Sequence, residues 1–243
     1  MTKLSVNVNK VATLRNTRPH IGIPSIVHCA KLCLDAGAHG ITVHPRPDER
    51  HIKPQDTVDL VDLLKKYPRA EYNIEGNPFH GYMALVEKVR PTQCTLVPDE
   101  PGAFTSDHGW DLTEDFDRLR PIVAQLKSLG SRVSLFMDAN PNALDLVVEL
   151  GANRIELYTE PYASAFAAGD ENAAAPYAIT AKRAAQLNLG VNAGHDLNLY
   201  NLRPFLQQVP SVLEVSIGHA LIADALELGL PETIRRYLHS CKS

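Results

Sequence analysis

The segment ITVHPRPDERH, from Ile41 to His51, combines side chains that bind anions with side chains that transfer protons. Three apolar or β-branched residues lead into His44, and two arginines and a second histidine follow it. Guanidinium groups bind phosphate through paired hydrogen bonds, and imidazoles gain and lose protons near neutral pH. The segment therefore predicts a loop after a buried strand that binds a small phosphorylated molecule during proton-transfer chemistry.

Polar residues also stand at the ends of other apolar runs. They are Asn7, Asn9 and Lys10 in VNVNK, Glu75 in NIEGN, Glu156 in IELYT, His195 in NAGH and His219 in SIGH. One histidine after a strand is often only exposed or capping, but acid–base groups at many strand ends indicate a shared site. For Glu75 and Glu156 a buried structural ion pair is the alternative, because an ionised carboxylate in an apolar strand needs a partner. His51 has the alternative of an exposed residue at a helix start.

Two kinds of group could bind phosphate. The segments AGHD and IGHA, which contain Asp196 and Gly218, predict backbone N–H groups at a helix start, where the helix dipole favours anions. Arginines are the second kind, and they include Arg15, Arg18, Arg46 and Arg50. Among these, Arg15 is predicted to be a solvated surface charge, and Arg50 a surface or supporting charge.

A catalytic metal is not expected from the sequence. No H-x-H, H-x-x-E-H or D-x-D cluster occurs at a predicted strand end, and the arginines and lysines beside the histidines would repel a divalent cation. The four cysteines, among them Cys29 and Cys33, lack the C-x-x-C spacing of a zinc site. We expect them to be buried thiols.

Short β-rich runs alternate with helical patterns and would position these groups. The predicted strands are Leu4–Val8, Ile41–His44, Tyr72–Glu75, Gln93–Val97, Arg132–Asp138, Arg154–Thr159, Val191–His195 and Leu213–Gly218; predicted helices include Ile26–Asp35, Thr57–Lys66, Tyr82–Val89 and Phe116–Leu129. About eight such units in a chain of this length predict an α/β fold, the (β/α)₈ TIM barrel, with its site at the carboxyl ends of the strands. A doubly wound sheet is the competing fold, but the G-x-G-x-x-G that often follows its first strand is absent here.

Local signals add three expectations. Asn140 followed by Pro141 predicts a helix start, and Asp111 with Glu114 resembles a capping box. The alanine-rich stretch 163–175 is interpreted as a loop and a helix start. The segment 98–111, rich in glycine and proline, is predicted to be the longest loop and a lid over the site.

Composition excludes several classes of protein. The formal charge of −4 gives no support for a nucleic-acid surface, and no apolar run approaches the length of a membrane span. The first ten residues contain no signal-peptide core, so a cytoplasmic location is expected. No linker divides the chain, and residues 1–243 are predicted to form a single domain.

Six segments together resemble the pyridoxine 5′-phosphate synthase family, the ring-closing enzymes of deoxyxylulose-phosphate-dependent vitamin B6 synthesis. They are VNVNKVATLRNTR (6–18), GITVHPRPDERHI (40–52), NIEGN (73–77), IELYTEPYA (155–163), VNAGHDLN (191–198) and VSIGHALI (215–222). The resemblance implies a (β/α)₈ barrel with extra helices, and a homo-oligomer, an octamer or a smaller even assembly. It also implies condensation of 3-amino-2-oxopropyl phosphate with 1-deoxy-D-xylulose 5-phosphate, with no metal or organic cofactor.

The resemblance also implies roles for single residues. His44 and Glu75 match proton acceptors, His195 a proton donor, and Glu156 a group that stabilises the transition state. Contacts to the aminoketone phosphate are matched by Asn7, Arg18, Gly218 and His219, and contacts to the deoxyxylulose phosphate by Arg46, His51 and Thr105.

Two positions depart from the family pattern. Asn9-Lys10 stands where many members have Asp-His, a pair that contacts the deoxyxylulose phosphate, and this predicts a sequence subgroup. Asp196 stands where glycine is common, so only its backbone N–H is expected to contact a phosphate. Two rival functions stay open: another barrel isomerase or epimerase for a phosphosugar, and a phosphometabolite-binding barrel without catalysis.

Overall fold

Eight parallel strands close into a barrel in the computed structural model, which describes residues 1–242. They are β1 (Lys3–Asn7), β2 (Gly40–Val43), β3 (Glu71–Gly76), β4 (Gln93–Leu96), β5 (Arg132–Met137), β6 (Arg154–Tyr158), β7 (Gly190–Gly194) and β8 (Val212–Ile217). Each strand pairs with the next in the chain, and β1 pairs with β8 to close the barrel. The predicted (β/α)₈ fold is confirmed, and each predicted strand end lies within one residue of the observed one.

Helices surround the barrel. They are α1 (Asn9–Asn16), α2 (Ile26–Asp35), α3 (Pro54–Leu64), α4 (Met83–Val89), α5 (Leu112–Ser128), α6 (Leu144–Leu150), α7 (Glu160–Ala167), α8 (Ala175–Gln186), α9 (Leu202–Gln208), α10 (His219–Leu228) and α11 (Leu230–Ser240). The connections after β1 and β6 and the segment after β8 each contain two helices, so the expected extra helices are confirmed. None of the helices in the described part of the chain has the length and apolarity needed to cross a membrane.

Helix ends follow the local sequence, and one prediction is only partly correct. Asp111 caps α5, since its carboxylate accepts a hydrogen bond from the Thr113 N–H at 2.9 Å, and Asn140 caps the short helical turn Pro141–Ala143. The stretch 163–175 is predicted to be a loop and a helix start; residues 168–174 do form a connection and α8 begins at Ala175, but the first five residues belong to α7. Proline in the first turn and the high helix propensity of alanine explain the helix.

Alternation along the strands divides the barrel into two environments. Leu4 and Val6 on β1, like the apolar residues at matching positions of the other strands, pack outward against the helices in one large core. The side chains at the intervening positions point into the barrel, because successive strand residues face opposite sides. All four cysteines are free thiols; Cys33, Cys94 and Cys241 are buried as expected, whereas Cys29 is only partly buried.

The interior of the barrel is polar, whereas such barrels are usually filled by Val, Ile and Leu. Thr95 Oγ1 donates to Asn73 Oδ1 at 3.0 Å, and Asn192 Nδ2 donates to Gln93 Oε1 at 3.3 Å across the interior. Within residues 1–242, Ser134 Oγ is the one buried side-chain polar atom without a hydrogen-bond partner. A polar interior allows carboxylates to reach deep below the strand ends.

Candidate active site

A cavity of ≈ 570 Å³ opens at the carboxyl ends of the strands. It is lined by Asn7, Asn9, Lys10, Thr13, His44, Arg46, Arg50, His51, Glu75, Phe104, Thr105, Ser106, Glu156, His195, Asp196, Leu197, Ser216, Ile217, Gly218, His219 and Ala220. Every site residue predicted from the sequence, except Arg18, therefore lies at one cavity.

Arg18 lies outside the cavity lining. It is exposed and follows α1, immediately before the short helical turn Pro19–Ile21. Its neighbours include the exposed apolar side chains of Leu14, Ile21 and Ile23, which are 54%, 51% and 62% accessible. The described chain alone does not bring Arg18 to the other predicted phosphate contacts.

Glu75 is buried near the end of β3 without a lysine or arginine partner among residues 1–242. Its carboxyl oxygens accept hydrogen bonds from Asn7 Nδ2 at 3.5 Å and from Ser216 Oγ at 3.4 Å. Burial raises the pKa of Glu75 to about 8, and the charge of Asp99 acts in the same direction. Glu75 thus holds a proton at neutral pH and can exchange it.

Glu156 lies on β6, farther inside the barrel, and its strongest partner is a hydroxyl. Glu156 Oε2 lies 3.5 Å from Thr95 Oγ1. Burial raises the pKa of Glu156 well above its usual value, and the nearby Glu75 adds to this effect. The alternative of a structural ion pair with lysine or arginine is therefore not found at either carboxylate within the described residues.

Gly194 makes room for Glu156. A Cβ atom on Gly194 would lie 2.8 Å from Glu156 Oε1 and 3.2 Å from the Ser216 carbonyl oxygen. The absence of a side chain at position 194 therefore leaves room for the Glu156 carboxyl group.

His44 stands between two carboxyl groups. Its Nδ1 is 3.7 Å from Glu75 Oε2, and its Nε2 is 3.8 Å from Asp99 Oδ2. Its backbone N–H donates to Asn9 Oδ1 at 2.9 Å, which fixes the end of β2 against the start of α1. Burial, followed by the charge of Arg46, lowers the pKa of His44 well below its usual value, so the imidazole is neutral and can accept a proton.

His195 has an unusual backbone conformation at the end of β7. Its φ is +81°, in the left-handed region that residues other than glycine rarely adopt. Such backbone strain occurs often at functional sites. Thr159 Oγ1 lies 2.5 Å from the Gly194 carbonyl oxygen and 2.7 Å from that of His195, and stabilises this turn. The ring packs against Phe136 and Tyr158, and burial followed by the charge of Arg46 lowers the pKa of His195 to about 4.

Cationic side chains form the wall on the side of β1 and β2. Arg46 is buried, forms an ion pair with Asp99 and donates from Nη1 to the Ala103 carbonyl oxygen at 3.0 Å. Arg50 donates to the same oxygen at 3.1 Å, which agrees with the predicted supporting charge, although it also lines the cavity.

His51 is buried rather than exposed at a helix start. Its Nδ1 accepts the Ile52 N–H at 2.9 Å, so the proton of the neutral ring is on Nε2 and can be donated to a phosphate oxygen. Burial, followed by the charges of Arg46 and Lys10, lowers the pKa of His51 to about 4.

Backbone N–H groups at a helix start occur at one of the two predicted places. Gly218 precedes α10, whose first residue His219 lines the cavity, as predicted for the segment IGHA. The prediction was wrong for AGHD, since α9 begins only at Leu202. Asp196 in that turn has a φ of +57° and is exposed at the cavity mouth.

Arg15 was wrongly predicted to be a surface charge. Its side chain is 14% accessible and forms an ion pair with Asp56 at 2.5 Å. Asp56 also accepts the Lys53 N–H at 2.8 Å and so stabilises the start of α3. Nothing in the local sequence around Arg15 indicates this distant partner.

Sequence reasoning missed three groups that support the site. Asp99 contacts Arg46 and His44, Thr159 stabilises the turn at His195, and Ser216 donates to Glu75. Each lies at or just after a strand end, which is the signal that identified the other site residues. Thr159 and Ser216 do not titrate, so their residue types do not indicate acid–base chemistry. Asp99 lies in the segment that is predicted to be a lid.

The site is suited to proton transfer between protonated carboxyls and neutral imidazoles beside an anion-binding wall. Within the described chain, no three His, Cys, Asp or Glu residues are grouped so that they could hold a metal ion.

Comparisons with solved structures agree with the barrel fold. The tryptophan synthase alpha chain from Legionella pneumophila superposes with a TM-score of 0.67 at 13% identity, over 99% of this chain and 92% of that one. A thiamine phosphate pyrophosphorylase from Pyrococcus furiosus gives 0.61 at 13% identity, over 99% and 95%. At this identity the similarity concerns the fold alone.

Comparisons of sequence are more specific. The family model described as "Pyridoxal phosphate biosynthesis protein PdxJ" matches residues 4–243. A pyridoxine 5′-phosphate synthase from Albidiferax ferrireducens is 59% identical over 98% of this chain and 96% of its own length, and one from Porphyromonas gingivalis is 52% identical over 98% of each. The resemblance predicted from the sequence is confirmed, and the chain belongs to the pyridoxine 5′-phosphate synthase (PdxJ) family.

Proposed function

We propose that this chain condenses 3-amino-2-oxopropyl phosphate with 1-deoxy-D-xylulose 5-phosphate to give pyridoxine 5′-phosphate, inorganic phosphate and water. The single observation that best supports this is the group at the strand ends. Glu75 and Glu156 are buried without lysine or arginine partners among residues 1–242, and His44 and His195 line the same cavity. The reaction joins an amine to a ketone, expels phosphate, closes a carbon–carbon bond and loses water. Each of these steps moves a proton, which this set of groups can do.

The proton-transfer roles follow from position and protonation state. His44 is neutral and accepts a proton, and Glu75 on its Nδ1 side exchanges one in turn. His195, also neutral, donates its N–H proton to leaving or developing oxygens, as neutral imidazoles can. Glu156 lies below them, and we assign it to stabilising charge that develops in the transition state.

Two phosphate groups need two binding regions. The deoxyxylulose phosphate would bind the cationic wall, with Arg46, His51, Thr105 and Lys10 as its contacts. The aminoketone phosphate would bind at the start of α10, where Gly218 offers its backbone N–H. Asn7 and His219 line that region. Fixing both phosphates holds the reacting carbons close together.

The loop 98–111 would cover the bound substrates. Its ends are fixed, since Trp110 is buried and its Nε1–H donates to the Leu96 carbonyl oxygen at 2.8 Å. Its middle is exposed, with Phe104 93% accessible at the cavity edge. Closure would exclude water from imine intermediates.

We propose a homo-oligomer, an octamer or a smaller even assembly, and we assign Arg18 its place there. Arg18 matches a phosphate contact of the family but lies outside the cavity of its own chain, beside the exposed apolar side chains of Leu14, Ile21 and Ile23. An interface over these side chains would bring Arg18 of one copy to the cavity of another. Mixing Arg18→Ala with His195→Ala protein should then restore part of the activity that each variant lacks alone.

The two departures from the family pattern fit a subgroup with the same activity. Asn9 uses its side-chain oxygen to fix His44, which any side chain with a suitably placed acceptor could do. Lys10 lines the cavity and can meet a phosphate as a point charge. The exposed carboxylate of Asp196 can remain in water while its backbone faces the cavity.

The proposal also includes a single domain over residues 1–243 and a cytoplasmic location. Pairing of β1 with β8 and packing of α11 against α2 join the two ends of the chain. Free thiols are usual in a reducing compartment.

One experiment distinguishes this function from its two rivals. The purified protein, treated with a chelator, is incubated with both substrates and analysed for pyridoxine 5′-phosphate. We expect product only when both substrates are present. Turnover of one phosphosugar without the amine would indicate an isomerase or epimerase, and binding without turnover would indicate a non-catalytic barrel; either result would refute the proposal.

A further inference from the structure

Asp99 occupies a central position behind the cavity wall. It follows β4, is 5% accessible and does not line the cavity itself. Its Oδ2 atom is in contact with the Arg46 guanidinium, accepts a hydrogen bond from Ser106 Oγ at 2.6 Å and lies 3.8 Å from His44 Nε2. Its backbone carbonyl oxygen accepts a hydrogen bond from Asn77 Nδ2 at 3.1 Å, which ties it to the end of β3.

We propose that Asp99 is the positioning residue of this site: its carboxylate fixes the orientation of Arg46 and supplies the negative charge that His44 needs when it accepts a proton. The inference rests on the proposed function, because it assigns Asp99 to the same reaction.

Asp99 fixes the orientation of the Arg46 guanidinium. A guanidinium has five N–H donors in one plane, so fixing one edge decides which edge faces a ligand. Asp99 accepts a hydrogen bond from Arg46 Nη2, and the Ala103 carbonyl oxygen accepts one from Arg46 Nη1. The remaining donors of Arg46 are available to the cavity that it lines.

The pair also has an electrostatic consequence. Arg46 and Asp99 together are neutral, as are Arg50 and Asp48, so Arg46 contributes direction to phosphate binding, while Lys10 contributes net charge. Removing the charge of Asp99 would leave Arg46 more strongly attracted to the phosphate but less well oriented. A misplacement of about 1 Å can cost roughly 100-fold in rate without weakening binding.

Protonated His44 needs a negative charge close to it. A buried imidazolium is unfavourable unless an anion lies close to it. Glu75, on the Nδ1 side, holds a proton at neutral pH and so gives little negative charge. Burial raises the pKa of Asp99, on the Nε2 side, above its usual value, but the hydrogen bond from Ser106 and the contact with the Arg46 guanidinium oppose this rise and favour the ionised form.

The sign of the pH effect follows from all groups near the imidazole. The titratable and charged groups that face His44 are Glu75, Asp99, Arg46, Arg50, His51 and His195. Arg46, Arg50 and any protonated neighbouring histidine disfavour its charged form, and Asp99 opposes them. Without the carboxylate of Asp99, the pKa of His44 falls further. The acidic limb of the pH profile of kcat/KM then moves to lower pH.

The test is Asp99→Asn in the full chain, since asparagine keeps the shape and removes the charge. We expect kcat to fall about 10- to 100-fold, KM for the deoxyxylulose phosphate to stay level or fall, and the acidic limb to move to lower pH. The matched control is Asp107→Asn, in the same loop, because Asp107 is exposed and its one ion-pair partner among residues 1–242 is the neighbouring His108. That variant should keep wild-type kinetics.

Two other results would overturn the inference. Kinetics and pH profile like those of Asp107→Asn would show that the charge of Asp99 has no effect, and a rise in KM with an unchanged acidic limb would indicate a merely structural role. If Asp99→Asn does not fold, Ser106→Ala decides, since it removes one donor to the same oxygen. A loss of kcat with a shifted limb supports the inference, and wild-type values refute it. Absence of product from the wild-type protein would overturn the proposed function and this inference with it, whereas normal wild-type turnover isolates the role of Asp99.

Discussion

The two ends of the barrel interior each contain a pair of carboxylates, but their surroundings differ. At the amino ends of the strands, Glu71 and Glu214 lie among cations. At the carboxyl ends, Glu75 and Glu156 have only hydroxyl, amide and imidazole neighbours within the described chain.

The cations at the amino ends form a connected network. Lys3 and Arg132 form ion pairs with Glu71, and Arg132 also lies 3.9 Å from Glu214. Arg154 lies 3.7 Å from Glu214 and donates to Asn192 Oδ1 at 2.9 Å.

The pKa values show the consequence of this difference. Burial alone would raise the pKa of Glu71, but hydrogen bonds from Arg132 and Lys3 hold it below its usual value. Burial raises the pKa of Glu75 to about 8, and no arginine contacts it among residues 1–242. Glu214 has only more distant arginines, and burial still raises its pKa. Direct hydrogen bonds from cations thus distinguish Glu71, which serves the structure, from Glu75, which retains a proton for chemistry.

The largest effect is expected at Glu75. Glu75→Gln keeps the size and hydrogen-bonding capacity of the side chain but cannot exchange a proton. We expect product formation to fall by about 100- to 10,000-fold, the usual contribution of an acid–base group, while substrate binding persists. Steady-state rates and calorimetric titration with each substrate measure the two quantities.

The control for this variant is Glu71→Gln, which makes the same change at the other end of the barrel. It should reduce stability and leave kcat near the wild-type value. Near wild-type turnover in Glu75→Gln would remove Glu75 from the mechanism.

The next effect concerns the network at the amino ends. Arg132→Met leaves Glu71 and Glu214 without one of their cations, and breaking such a buried pair costs about 3 kcal/mol of unfolding free energy. Chemical denaturation measures this loss, and kcat measured well below the unfolding temperature should be unchanged. A large loss of kcat with native stability would show that the two ends of the barrel are not separable.

The sequence predicts which residues lie at the carboxyl ends of the strands, because strand period and strand order are local signals. His44, Glu75 and His195 were found in this way without any structure. Helix starts were harder to predict. The turn after β7 contains glycine and a histidine like the one after β8, but only the latter begins a helix directly.

Partners distant in sequence could not be predicted. The ion pair of Arg15 with Asp56 and the contact of Asp99 with Arg46 join residues that are 41 and 53 positions apart. The polar interior was equally hidden, since alternating polar residues in a strand indicate water as readily as a polar barrel. Charge state depends on such contacts, and therefore Glu71 and Glu75 cannot be distinguished from sequence alone.

A smaller effect is expected for the cations. Lys10 lines the cavity and forms no ion pair with the carboxylates of residues 1–242, whereas Lys3 is paired with Glu71. Lys10→Ala should weaken binding of deoxyxylulose phosphate by about 10-fold, a loss typical of one phosphate contact, and weaken aminoketone binding less. Lys3→Ala is the control and should leave both affinities unchanged. Equal losses for the two substrates in a binding titration would contradict the role of Lys10.

The smallest effect is in the pH dependence of stability, and it has opposite signs for Glu71 and Glu75, whereas burial raises the pKa of Glu214 as it does that of Glu75. The folded chain holds a proton on Glu75 up to about pH 8, whereas the unfolded chain releases it near the ordinary value of 4.5. Stability therefore falls as pH rises between these values. The lowered pKa of Glu71 gives stability that is present above its unfolded pKa and is lost as pH falls through the folded one.

Urea denaturation between about pH 7 and 8 measures the contribution of buried carboxyls with raised pKa values, such as Glu75, because the buried histidines with lowered pKa values are already neutral there. Glu75→Gln should reduce the loss of stability with rising pH by up to about 1 kcal/mol per pH unit, which is the scale for one proton. Glu71→Gln should leave this slope unchanged, because Glu71 is ionised in both states over the interval. A slope that persists in Glu75→Gln and disappears in Glu71→Gln would reverse the assignment of the two ends.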